Sequence, residues 1–149
     1  MSPCTDAADN IRFPAHAYVP GENSRHSDGW FDDIKDSVSQ DIPVSDLHRT
    51  HAFQVGRAYF DQGYYWECHE VLEAVWLRTG DPSPERDMVQ ALIQLANARL
   101  KLRMGKPNAA RRLCDMVEAH LARCAGANIV LGLNVAQMQV WVDETRQQK

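Results

Sequence analysis

A chain of 149 residues is long enough to bury one core and short for two domains. Hydrophobic residues make up 44% and charged residues 24%, the balance of a water-soluble globular domain, and no apolar run approaches the length that crosses a bilayer. Lys and Arg total 16 against 20 Asp and Glu, and the net charge of −4 argues against nucleic-acid binding over the whole surface.

The N-terminus, Met1 to Asp6, has neither a basic start nor an apolar segment and reads as carrying no secretion signal. Cys4, Cys68, Cys114 and Cys124 form no C-x-x-C pair, and two of them fall inside apolar helical patterns. Reduced thiols in a cytoplasmic protein are the expectation.

In chain order, residues 1–45 read as an extended arm. They hold Pro3, Pro14, Pro20, Pro43, Gly21 and Gly29 and show little periodicity. Phe13, Tyr18, Trp30 and Phe31 are its anchors, and the spacing of Trp30, Phe31, Ile34 and Val38 predicts a short helix near 28–38. Residues 46–149 read as one all-α domain. A first helix is capped by Ser45 or Asp46 and ends at Gly63, a residue suited to the left-handed position after a helix. A second runs from about Tyr65 to Arg78 and is broken by Gly80-Asp81-Pro82. Ser83 as N-cap and Pro84 in the first turn start a third helix, which reaches Met104 and stops at Gly105. A fourth spans Pro107 to Arg123, and Gly126 ends it. Asn134, with Gln137 three residues on, caps a last helix to Gln147. Ile129-Val130-Leu131 is too short to be assigned as a strand.

The turns at Gly63 and Gly105 lie 42 positions apart. The apolar positions Cys68, Val71, Leu72 and Val75 map at that offset onto Ala110, Leu113, Cys114 and Val117. The expected fold is therefore a small bundle of about five helices: two stacked helical hairpins, a C-terminal helix and the arm.

The second helix concentrates three carboxylates, a histidine and two tryptophans in Tyr65-Trp66-Glu67-Cys68-His69-Glu70-Val71-Leu72-Glu73-Ala74-Val75-Trp76. At about 100° per residue, Cys68, Val71, Leu72 and Val75 form the apolar stripe. Trp76, His69, Glu73 and Trp66 follow along one flank, with Glu70 beyond them and Glu67 on the other side. The third helix is apolar almost all round except for one stripe, Gln90, Gln94, Asn97 and Lys101. Buried amides need partners, and His69 and Glu73 are their natural suppliers if the two helices pack antiparallel. Arg99 and Arg103 are expected as counter-ions for Glu67, Glu70 or Glu73. Trp66, Glu67, His69, Glu70, Glu73, Trp76, Gln90, Gln94, Asn97 and Lys101 together make the candidate ligand pocket.

The series from Gly63 to Glu73 with Trp76 resembles the bacterial and archaeal family catalogued as "domain of unknown function 309". Two further blocks, Val89 to Asn97 and Gly105 to Leu113, carry the same resemblance, which covers roughly residues 50–120. The arm from Tyr18 to Asp32 looks like the N-terminal extension of proteobacterial members. Ala91 stands where the second block usually has a glycine. The resemblance implies a small all-α fold and no agreed activity, and it points to Glu67, His69, Glu70, Glu73 and Gln94.

Two functional classes follow. The leading one is a binding module that takes a small molecule or a protein in a groove between hairpins, with the aromatic residues and the amide stripe as its lining. The alternative is a metal-dependent hydrolase-like enzyme. There His69 and Glu73, at i and i+4, hold a divalent ion such as Zn²⁺ or Mn²⁺, and Glu70 or Glu73 acts as the catalytic base. H-E-x-x-E differs from the metalloprotease H-E-x-x-H in its last residue, so a third ligand has to come from His16, His26, His48, His51 or elsewhere in the arm. No nucleophile elbow and no phosphate-binding glycine loop is present. Lys106, Arg111 and Arg112 near the start of the fourth helix read as a solvated face, and Val140 and Trp141 mark a candidate homodimer seam.

Overall fold

A computed structural model describes residues 11–124 and 126–148. It contains a one-turn helix α1 (Asp32–Lys35), a 3-10 segment (Val44–Arg49), and the helices α2 (His51–Gln62), α3 (Tyr65–Trp76), α4 (Pro84–Arg103) and α5 (Pro107–Ala122). The short strands β1 (Ile129–Val130) and β2 (Leu133–Asn134) follow, then α6 (Val135–Gln147). The protein is an all-α bundle with one very small hairpin of strands.

Helix boundaries follow from the caps. Ser83 Oγ accepts from Arg86 N at 3.1 Å with Pro84 in the first turn, and Asn134 Oδ1 accepts from Gln137 N at 3.0 Å. Gly63, at φ 85°, closes α2, where Tyr64 N donates to Tyr59 O at 2.8 Å. A Cβ at Gly63 would also run into the guanidinium of Arg103.

Three details depart from the sequence reading. The helix expected from Ser45 or Asp46 is two pieces, because Thr50 is extended and its hydroxyl caps α2 by accepting from Phe53 N at 3.2 Å. The helix expected over 28–38 shrinks to four residues, after which Ser37 turns back onto the Ile34 carbonyl. Ile129 and Val130 do form a strand, paired antiparallel with Leu133 and Asn134. Leu131 and Gly132 both take positive φ there, the geometry of a two-residue hairpin turn.

The hairpins α2–α3 and α4–α5 stack through α3 and α4, and α6 packs on α5. Arg103, at the end of α4, donates to the Gly63 carbonyl before α3, whereas Arg86, at the start of α4, lies over Trp76 at the end of α3. The two helices are therefore antiparallel. The positions related by the 42-residue offset are buried in both hairpins, except Leu113, which is half-buried. Leu72, Met88, Leu92, Leu95 and Met138 fill the centre.

The α2–α3 crossing depends on Gly56. A Cβ built there lies 2.6 Å from Leu72 Cδ2, inside a core where Leu72 has no exposed surface. Gly56→Ala should therefore destabilise the fold by about 1–3 kcal/mol through overpacking, less the helix-propensity gain of roughly 1 kcal/mol. Urea unfolding checks this. The cost should shrink in a Leu72→Val background, and a stabilised single variant would show that the helices can separate freely.

Candidate functional site

Side chains on opposite flanks of α3 serve two different surfaces. On one flank Glu67, with no exposed surface, receives the arm. Its Oε2 accepts from Tyr18 N at 2.7 Å and lies 2.5 Å from His26 Nε2, while Oε1 has no partner among the described residues. One turn on, Glu70 pairs with Lys35 of α1 at 2.5 Å. Trp66 joins them, with ring centroids 5.2 Å from Tyr18 and 6.0 Å from both His26 and Phe31. A small cavity of about 100 Å³ lies between His26, Lys35, Trp66 and Glu70. Phe31 and Ile34 are buried beneath the arm, and Tyr59 Oη donates to Arg12 O at 2.6 Å.

On the other flank His69, Glu73 and Trp76 face Gln90, Gln94 and Asn97 of α4 across an open cleft of about 420 Å³. Six of the ten residues read as a pocket thus share one cleft. Trp66, Glu67 and Glu70 belong to the seat of the arm, and Lys101 lies outside the residues that line the cleft. His69 Nε2 and Glu73 Oε1 meet at 2.7 Å, and His69 Nδ1 is buried without a partner among the described residues. The amides do not bond to that pair. The hydrogen bond that joins them runs from Asn97 Nδ2 to Gln94 Oε1 at 3.3 Å. Leu77 and Ile93 complete the walls. Both read as ordinary apolar residues in the sequence, yet Leu77 is 73% exposed at the rim.

A second hollow, about 350 Å³, adjoins the first and shares Trp76 and Gln90 with it. Arg86, Asp87, His120 and Arg123 line it, and Asp81 stands exposed at its edge. Asp87 Oδ1 accepts from Arg123 Nε at 3.1 Å and lies 2.8 Å from His120 Nδ1. The expected hairpin already brings the end of α5 beside the start of α4, but it was not followed to these side chains in the sequence, and this half was not foreseen.

Arg99 and Arg103 are not counter-ions to the α3 carboxylates. Arg99 bonds Thr145 Oγ1 at 3.0 Å and the Trp141 carbonyl at 3.3 Å, with its guanidinium 4.6 Å from the Phe60 ring centroid. Arg103 takes the Gly63 carbonyl and covers Tyr65. Trp141 stacks internally on Phe60, leaving Val140 as the half-exposed apolar residue of the α6 seam.

Among the described residues no three His, Cys, Asp or Glu side chains converge as a metal-ligand group. His69 and Glu73 supply two donors, while Glu70 points to the arm, so the trio named for hydrolytic chemistry does not meet at one point. No helix among the described residues is long and apolar enough to cross a membrane.

Removing the Glu67 carboxylate leaves Tyr18 N and His26 without their acceptor. Glu67→Ala should cost about 3–5 kcal/mol, as for other broken buried pairs, and expose the arm to proteolysis before Ile42. Glu67→Gln, which keeps an acceptor oxygen, should cost less. Urea unfolding with limited proteolysis checks both, and an Ala variant as stable and protected as the parent would remove the carboxylate from its structural role.

Burial raises the thiol pKa of Cys68, Cys114 and Cys124. The folded state therefore holds these protons more tightly than the unfolded chain does. That contribution is intact below about pH 8.5 and is lost as pH rises toward the folded values. Cys4 lies outside the described residues, so a Cys4→Ser chain isolates the other three. It should resist dithiobis(nitrobenzoate) at pH 8 until unfolded, and its urea midpoint should fall between pH 8 and 10.5. Rapid labelling of the folded chain would contradict the burial.

Comparison with curated proteins and with solved structures returned no match. A family model does match residues 53–113, which run from α2 into α5 and hold every residue lining the α3–α4 cleft. That model is described as Domain of unknown function (DUF309), and over this segment the chain resembles the family.

Proposed function

We propose that this protein is a binding module whose α3–α4 cleft receives one small polar molecule. The observation that carries the reading is the row Gln90, Gln94 and Asn97, turned toward His69 and Glu73 from a helix whose adjoining positions Val89, Ala91, Leu95, Ala96 and Ala98 are buried in the core. Three amides bring six N–H donors and three carbonyl acceptors, and a single hydrogen bond at 3.3 Å links them. Their spacing along α4 is about 6 Å and then about 4.5 Å, the scale of neighbouring peptide groups. Trp76, Leu77 and Ile93 supply apolar walls, and the volume suits a small ligand. The ligand that fits such a lining has both donors and acceptors, as an amide or peptide group does.

The test is a titration with N-acetylglycinamide, followed through the side-chain amide resonances of Gln90, Gln94 and Asn97. Saturable shifts confined to these peaks and to the Trp76 indole are expected. Gln94→Leu, which removes one hydrogen-bonding amide, should weaken binding about fivefold. Shifts spread over the surface, or none at all, would overturn the reading.

A further inference from the structure

We infer that Arg86 is an oxyanion anchor at the end of this cleft, so that the ligand carries a carboxylate or phosphate beside its hydrogen-bonding group. The inference rests on the cleft being a binding site and adds the class of molecule it takes.

Arg86 is half-buried and lines the hollow that shares Trp76 and Gln90 with the cleft. Its guanidinium carbon sits 3.8 Å from the Trp76 ring centroid, and Nη1 donates to Thr79 O at 3.0 Å. These two contacts fix the plane of the group and use one edge of it. The other N–H groups have no protein acceptor among the described residues. The neighbouring carboxylate Asp87 is already shared by His120 and Arg123, and Asp81 at the rim makes no ion pair with Arg86. Arg99 and Arg103 also lie over aromatic rings, but they spend their donors on Thr145, Trp141 and Gly63.

A planar guanidinium held in place with donors to spare is suited to bidentate recognition of an oxyanion. Gln90 follows one turn later on α4, about 6 Å along the axis. A ligand that reaches both has its oxyanion and its amide-like group one residue apart, as in an N-acylated amino acid or the last residue of a short peptide.

The experiment compares N-acetylglycine with N-acetylglycinamide, which differ in the carboxylate alone, and adds glycerol 3-phosphate as the phosphate probe. Dissociation constants come from NMR titration, with the Arg86 Nε–Hε resonance of the unmodified chain as a direct reporter. N-acetylglycine should bind about tenfold more tightly than the amide and move the Arg86 resonance. Arg86→Gln should bring the ratio to about one. Arg86→Lys, which keeps the charge but not the planar fork, should recover part of the preference. Tighter binding of glycerol 3-phosphate that is lost with Arg86 also supports the anchor and assigns it to phosphate. Equal binding of the two glycine derivatives with a still Arg86 resonance, or a ratio that persists in a folded Arg86→Gln chain, overturns the anchor and leaves the cleft reading intact. No binding of any probe overturns both.

Discussion

A carboxylate with no exposed surface has to find its hydrogen bonds inside the protein, because leaving it bare costs far more than any packing gain. Glu67 finds them in the arm. One oxygen gathers the Tyr18 backbone N–H and the His26 ring, some forty residues or more away in sequence. The arm thereby covers the Trp66 flank of α3, and Phe31 and Ile34 enter the core beneath it. Lys35 on Glu70, and Arg78 on the carbonyls of Ser39, Gln40 and Ile42, fasten the remainder. Glu67 is thus a structural charge that decides which side of α3 faces other chain segments and which side stays open.

With one flank seating the arm and another stripe packed on α2, the margin of α3 that faces α4 stays open as a cleft. His69 and Glu73 occupy it, and α4 faces it with Gln90, Gln94 and Asn97. Two contacts pin α3 and α4 antiparallel, Arg103 joined to Gly63 at one end and Arg86 stacked on Trp76 at the other. The cleft is a product of this frame: its walls stand on two helices of the core, positions that hold side chains more firmly than loops do.

Much of this was legible because it depends on local chemistry. Ser83 with Pro84, Asn134, Gly63 and Gly105 each set a helix end by themselves, and the angular order of α3 already separated His69, Glu73 and Trp76 from Glu70 and Glu67. That order was not carried far enough. All the polar residues were assigned to one pocket, because a sequence does not say what covers the second flank. Burial of Glu67 and pairing of Glu70 are contacts with the arm, and they depend on where Tyr18, His26 and Lys35 land. The second hollow escaped because the expected α4–α5 hairpin was not followed to the side chains at its open end, where His120 and Arg123 meet Asp87. Arg99 and Arg103 were misread because charge was matched to charge, whereas both guanidinium groups settle over rings and against carbonyl oxygens.

The amide row of α4 is the feature that stability alone explains least. Positions 90, 94 and 97 sit on a helix whose other faces are filled by Val89, Ala91, Leu92, Leu95, Ala96 and Ala98. Half-buried amides left with one long hydrogen bond gain little from folding compared with apolar side chains that could close the same space. His69 Nδ1, buried and without a partner beside them, adds a further cost of the same kind. Elsewhere on α3, Glu70 is matched with Lys35 and one oxygen of Glu67 with two donors, while the other Glu67 oxygen has no partner among the described residues. The α3–α4 margin thus gathers three amides and a histidine whose hydrogen-bonding capacity is not met among the described residues, next to an arginine whose plane is fixed by Trp76 and Thr79. Polar groups pre-oriented around an open volume, at some expense to the fold, are what a binding site requires before its ligand arrives.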